Sequence, residues 1–263
     1  MVHRTAAEAL ADEIAVLGND YGVAFHHSCQ ELWRVSSAWD RYEALYATQE
    51  RVELLNQSGG NFWGILQNVM FEHVLLGLCR LTDPPKNRHQ INLSVRYLLT
   101  LEPSSKKKRL EQAVNRAEAK TKFARSWRDK YIAHNDLGHA TGQAGKLAFA
   151  TRNKVSNSIV AIHDVLRWIN MRHFNSEMFL IDMGDNDALE VMGVIADGLR
   201  FDGLRRSEYA AGRYSETYER KTDWIGNAPD PTKRYKQQRY ALPKALNRRN
   251  REVAGRVSLP SSS

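Results

Sequence analysis

The chain has 263 residues, 42% of them hydrophobic, enough for one large domain or two small ones with a sizeable core. No run of 18 or more apolar residues is present, so no membrane partner is expected, and Met1 to Glu8 lacks the apolar core of a secretory signal. The formal net charge of +8 is uneven: residues 213–263 hold 12 Lys/Arg against 5 Asp/Glu, whereas residues 1–212 hold 26 against 25.

These features predict one folded domain over residues 1–212, which the periodicity below makes helical, and a basic, flexible tail over 213–263. Such a tail attracts polyanions through counterion release, or is simply solvated with no specific partner. It interleaves Tyr235 and Tyr240 with Arg234, Lys236 and Arg239, as base stacking plus phosphate binding requires. The two cysteines, Cys29 and Cys79, sit within helical apolar patterns, which predicts a reduced, cytoplasmic protein.

In chain order, Thr5-Ala-Ala-Glu8 reads as a capping box that opens a short helix, with Gly18 closing it. Residues 20–57 read as one long helix or two, ending at Ser58-Gly59-Gly60. Asn61 then caps a helix that is apolar around its circumference as far as Leu81. A helix without a polar face is usually buried, so 61–82 is expected to be the central, most buried element, stopped by Pro84-Pro85. A short helix follows near Leu93 to Leu101. The next helix runs from Ser105 to about Asp136, and a glycine-rich loop spans Gly138 to Gly145. Lys146 to Ala150 reads as briefly extended. One helix over Lys154–Phe174 carries Val155, Ile159, Ile162, Leu166 and Ile169 on one stripe. Another is capped by Asp185 and passes Leu199. The fold class is all-α.

The segment Arg128-Asp-Lys-Tyr-Ile-Ala-His134-Asn-Asp136 carries the chemistry. Arginine is a permanent cation whose planar fork matches phosphate oxygens, and histidine moves protons near neutral pH. On an ideal helix each residue advances roughly 100°. Arg128 then falls inside the apolar arc of Leu110, Val114, Ala117, Ala124 and Tyr131, where an unpaired charge is expensive. It therefore needs a carboxylate, an interface or an anionic ligand, and Asp83 is one candidate carboxylate. His134 lies roughly 120° and about 9 Å away, which suits a site assembled across a dimer interface better than one helix face. Asn135 shares the angle of Arg128. A structural ion pair is the alternative reading. A second Arg/His pair, Arg167 and His173, has its histidine on the core stripe and its arginine off it, and is read as structural.

This segment resembles the Arg-polar-x(3–5)-His signature of the HEPN superfamily, with Asp129 in the polar position. Together with Leu78-Cys-Arg-Leu-Thr-Asp83-Pro and the Ala-His-Asn-Asp ending, it is similar to the abortive-infection U-type branch. The resemblance spans roughly residues 20–205, with its core between 60 and 170, and leaves out the tail. It implies a helical bundle that forms a homodimer and a composite site that cleaves RNA without a metal. Arg128 would hold the scissile phosphate, His134 would transfer protons, and Asp129 and Asn135 would orient them. Products would carry a 2′,3′-cyclic phosphate and a 5′-hydroxyl. Phage-defence or toxin–antitoxin roles, with an antitoxin protein as partner, are implied too. Many members of the superfamily are instead silent binding modules for nucleic acid or protein.

No cofactor or metal is expected, because His26-His27-Ser-Cys29 has no second ligand cluster at zinc spacing. Glu72 and His73 read as a satisfied polar pair in the core. Lys106, Lys107, Lys108 and Arg109 open the Arg128 helix, where cations oppose the helix dipole. They are either RNA-backbone contacts or a solvated basic turn.

Overall fold

The computed structural model describes residues 5–103, 105, 107–132, 147–180 and 187–213. Seven α-helices are present among them: α1 (Ala6–Leu17), α2 (Asn19–Tyr46), α3 (Gln49–Thr82), α4 (Val95–Leu101), α5 (Lys107–Trp127), α6 (Arg152–Phe174) and α7 (Asp187–Ala210). A π-helical turn, Arg128–Ile132, continues directly from α5. Two-residue strands β1 (Lys86–Asn87) and β2 (Gln90–Ile91) pair antiparallel. The all-α class is correct. The chain divides into units Met1–Leu204 and Arg205–Ser263, so α7 runs across the boundary.

Local signals set several ends. Thr5 and Glu8 form the capping box, and Gly18 closes α1 with φ 85°. The orphan carbonyls at the end of α2 are taken by arginines. Arg51 Nη1 donates to Ala44 O at 2.9 Å, and Arg152 donates to Ala47 O at 2.5 Å and to Tyr46 O. In the second unit, α7 ends in a Schellman motif: Arg213 N donates to Glu208 O and Gly212 N to Tyr209 O, with Gly212 at φ 74°.

The core of the first unit lies among α2, the last two turns of α3, α5 and α6. Phe25, Leu32, Leu75, Leu78, Leu110 and Ile162 are each at most 1% exposed. The α6 stripe of Val155, Ile159, Ile162, Leu166 and Ile169 is buried as expected. Close helix approach depends on Gly77, where a Cβ would sit 2.2 Å from Val35 Cγ2. At the α1–α2 contact, a Cβ on Gly22 would meet the Ile14 backbone at 2.6 Å.

Four expectations need correction. The break between α2 and α3 falls at Thr48, which N-caps α3, while Gly59 only kinks a helix that continues to Thr82. The run 61–82 is not buried throughout: Val74 to Thr82 forms core, but Phe62, Ile65 and Val69 are 63%, 66% and 56% exposed. The longer α3 carries these residues beyond the elements that cover its last turns. Glu72 and His73 share that part of the helix, and His73 is exposed rather than a core partner. Among the described residues, α3 is the one helix long and apolar enough by composition to cross a membrane. The hairpin was unforeseen: its Arg88-His89 loop lacks the usual Asn-Gly signal, and Arg88 itself takes φ 53°. Residues 147–150 form no strand.

Candidate active site at the end of α5

Trp127 closes α5 and is held from two sides. Its Nε1 donates to Ala148 O at 2.7 Å, and its ring meets Phe71 edge-on at 5.7 Å. The next five residues form the π turn. A π turn bonds i to i+5, so it holds more residues per turn than an α-helix, and the 100° arithmetic fails from Arg128 onward. Tyr131, placed by that arithmetic in the apolar arc, is 49% exposed and stacks edge-on against Trp127.

Arg125 and Arg128 stand three residues apart and therefore share a helix face. Both reach the end of α3. Thr82 is its last residue, Asp83 follows in extended conformation, and Pro84-Pro85 prevents continuation. Asp83 Oδ1 accepts from Arg125 Nη1 at 2.7 Å and from Arg128 Nη1 at 2.9 Å. Arg125 Nη2 also donates to Thr82 O, and to Thr82 Oγ1 at 3.0 Å. A guanidinium thus meets the negative end of α3 and one of its orphan carbonyls. Thr82 Oγ1 in turn lies 3.0 Å from Thr121 Oγ1 and donates to Leu78 O at 2.7 Å, tying α3 to α5 in the core.

Arg128 Nε donates to Asp129 Oδ1 at 2.8 Å. Burial acts to lower the Arg128 pKa, but the hydrogen bonds to Asp129 and Asp83 outweigh it, and the net direction is upward. The cation is secure at any physiological pH. The two carboxylates differ: Asp83 has a side-chain exposure of 23%, Asp129 of 58%. Beneath them the buried Cys79 thiol is pushed up to about 11 by burial, with Arg128 and Arg125 pulling it partly back.

The structure brings Arg128 and Asp129 together and supplies Asp83 as the carboxylate for Arg128. Two nearby groups escaped sequence reasoning. Arg125 carried a usable signal, lying one turn before Arg128. Thr82 carried none. His134 and Asn135 lie outside the described residues, as do Lys106, Asp185 and the tail beyond Arg213. Lys107, Lys108 and Arg109 are exposed in the first turn of α5, about 30 Å along the helix from Arg128. Arg80 does not pair with Asp83 but with Glu31, at 2.8 Å through Nε.

The second Arg/His pair is occupied elsewhere. Arg167 pairs with Glu177, and His173 donates to the buried Glu102 at 2.9 Å, which also accepts from Tyr21 at 2.8 Å. His26 is bound to Glu13 at 2.7 Å and accepts from Gln30. Among the described residues no group of three or more His, Cys, Asp or Glu is placed to hold a metal.

No curated protein and no solved structure matches the chain. The family model for AbiU2, a HEPN family, matches residues 8–192. That span begins within α1, includes α2 to α6, the whole Arg125–Asp83–Arg128 junction and the start of α7, and stops short of the basic tail. The chain therefore belongs to the AbiU2 family of HEPN domains, with the abortive-infection association that the family carries.

Proposed function

We propose that this protein is a metal-independent endoribonuclease, acting as a homodimer in phage defence or in a toxin–antitoxin pair. The observation that carries this reading is Arg128, a part-buried guanidinium on a π turn. It is held by one sheltered carboxylate and one exposed carboxylate. Asp83 fixes the Nη1 corner from a protected position. Asp129, more than half exposed, engages Nε through a contact that costs little to exchange. A phosphate of RNA displaces Asp129 and takes a charge-assisted fork, while Asp83 keeps the guanidinium aimed.

Chemistry then follows the donors at hand. The ribose 2′-oxygen attacks the adjacent phosphorus. The O2′–P bond forms, the P–O5′ bond breaks, and a 2′,3′-cyclic phosphate and a 5′-hydroxyl result. His134 takes the 2′-hydroxyl proton and returns one to O5′. Arg128 stabilises the charge that builds on the phosphoryl oxygens.

A second reading has its own support. Asp83 already satisfies Arg128 with no ligand, as it would in a silent HEPN module that binds nucleic acid or protein. One experiment separates the two. Purified wild-type protein, His134→Ala and Arg128→Ala are incubated with total RNA in EDTA, and fragment ends are typed. The wild type is expected to cut. His134→Ala is expected to bind RNA without cutting, and Arg128→Ala to lose both. A folded His134→Ala protein with full activity, or complete dependence on a divalent metal, leaves the binding module.

A further inference from the structure

Two cavities of the first unit share a wall. The one beside the candidate site, about 260 Å³, includes Asp83 in its lining, with Glu31, Arg80 and Asn92. The other, about 360 Å³, is bounded by Asp20, Ala24, His27 and Tyr97. Ile91 and Leu93, just past the hairpin turn, line both. On the opposite side, Asp20, Ala24, His27 and Glu31 recur at helical spacing along one face of α2. The two cavities thus line up as a trough along about 16 Å of α2, with Ile91 and Leu93 where they adjoin. Asp83 stands at one end, and Ile91 and Leu93, 62% and 37% exposed, form the apolar wall.

We infer that this trough is a nucleobase-binding subsite for single-stranded RNA, receiving the bases next to the phosphate held at Arg128. The inference rests on the ribonuclease reading for its phosphate, and the trough supplies the rest. Charge separates the two parts of the ligand. Asp20 disfavours a phosphate in the far half of the trough, and Glu31 is already paired with Arg80 and Arg34, whereas Arg125 and Arg128 both meet Asp83 at its near end. Asp20 and the Asn92 side-chain oxygen, whose amide nitrogen donates to Pro84 O, offer acceptors that suit the amino and imino edges of bases. Faces to stack on are present as well: the exposed His27 ring, Tyr97, and the guanidinium of Arg80, whose side chain is half exposed. Ile91 and Leu93 complete an apolar slot for flat rings. Strand polarity is then set by the trough, because bases enter it only on the Asp83 side of the scissile phosphate.

The test uses the full-length protein and fluorescein-labelled 2′-O-methyl RNA hexamers of each base, which cannot be cleaved because the attacking hydroxyl is blocked. Anisotropy is compared for wild type, Ile91→Asp and His27→Ala, both changes at exposed positions, with circular dichroism confirming the fold. The expected result is unequal affinity among the four hexamers, with about a tenfold loss for the best one in Ile91→Asp. His27→Ala is expected to narrow the differences among bases. A parallel digest of natural RNA reports base preference beside the cut. If the wild type does not cut natural RNA but the hexamers still bind through Ile91, the catalytic reading fails and the subsite stands. Unchanged affinities and unchanged cut-site preference in both folded variants overturn the subsite and leave the catalytic reading untouched.

Discussion

Replacing Asp83 with alanine leaves two guanidiniums facing each other where one carboxylate oxygen held both. The side chains of Arg125, Arg128 and Asp83 are 25%, 28% and 23% exposed, between surface and interior. Breaking a fully buried pair costs about 3–5 kcal/mol, and an exposed pair contributes about 0–1 kcal/mol. Two hydrogen bonds to one part-sheltered carboxylate place the loss at about 2 kcal/mol. For a body of this size that lowers the melting temperature by about 4–8 °C. Asp83→Asn keeps an acceptor at the same place but removes the charge, so it is expected to fall between wild type and alanine. The assay is thermal unfolding by circular dichroism at two salt concentrations, with urea unfolding at 25 °C as a second measure. A cycle with Arg125→Gln then isolates the pair, and a coupling of about 1 kcal/mol or more is expected between contacting charges. If Asp83→Ala melts within about 1 °C of wild type, the carboxylate does not hold the two arginines and the account of the site is wrong.

Gly77→Ala is expected to destabilise by about 1–3 kcal/mol, since its Cβ would press on Val35, and Val35→Ala in the same chain should recover part of the loss. Equal stability of Gly77→Ala and wild type would contradict the close α2–α3 approach. Thr5→Ala removes the capping box of α1 and is expected to cost about 1 kcal/mol, seen first as faster amide exchange at Glu8. Burial raises the Cys79 thiol to about 11. Above its ordinary value the unfolded chain releases this proton while the folded chain keeps it, so Cys79 lowers stability as pH rises from about 9 toward 11. Urea midpoints at pH 8 and pH 10 should differ less in Cys79→Ala than in wild type, and an equal difference would refute the assignment. Charge reversal of Lys107, Lys108 and Arg109 should weaken RNA binding and reduce its salt dependence only if RNA spans the length of α5, and filter binding across a salt series reads this.

Helical class, most helix positions and the α6 core stripe were legible in the residues, because 3.6-residue periodicity, capping side chains and proline stops are local properties of the chain. The capping box at Thr5 and the stop at Pro84 needed nothing beyond neighbours in sequence. Arg128 was legible for the same reason: a cation within an apolar arc declares a need that something else must meet. What met it was not local. Asp83 lies 45 residues away, and only the packing of α5 against the end of α3 gave it to Arg128 rather than to Arg80, which went to Glu31 instead. Arg125 acquired its role by the same packing. Burial of α3 also escaped the sequence, since an apolar circumference records what a helix can bury and not how far its neighbours extend; Val74 to Thr82 found partners, while Phe62, Ile65 and Val69 did not. The π turn at Arg128 overturned the ideal-helix angles because its hydrogen bonding is wider; it begins directly after Trp127, which Phe71 and Ala148 hold, and periodicity carries no record of such contacts.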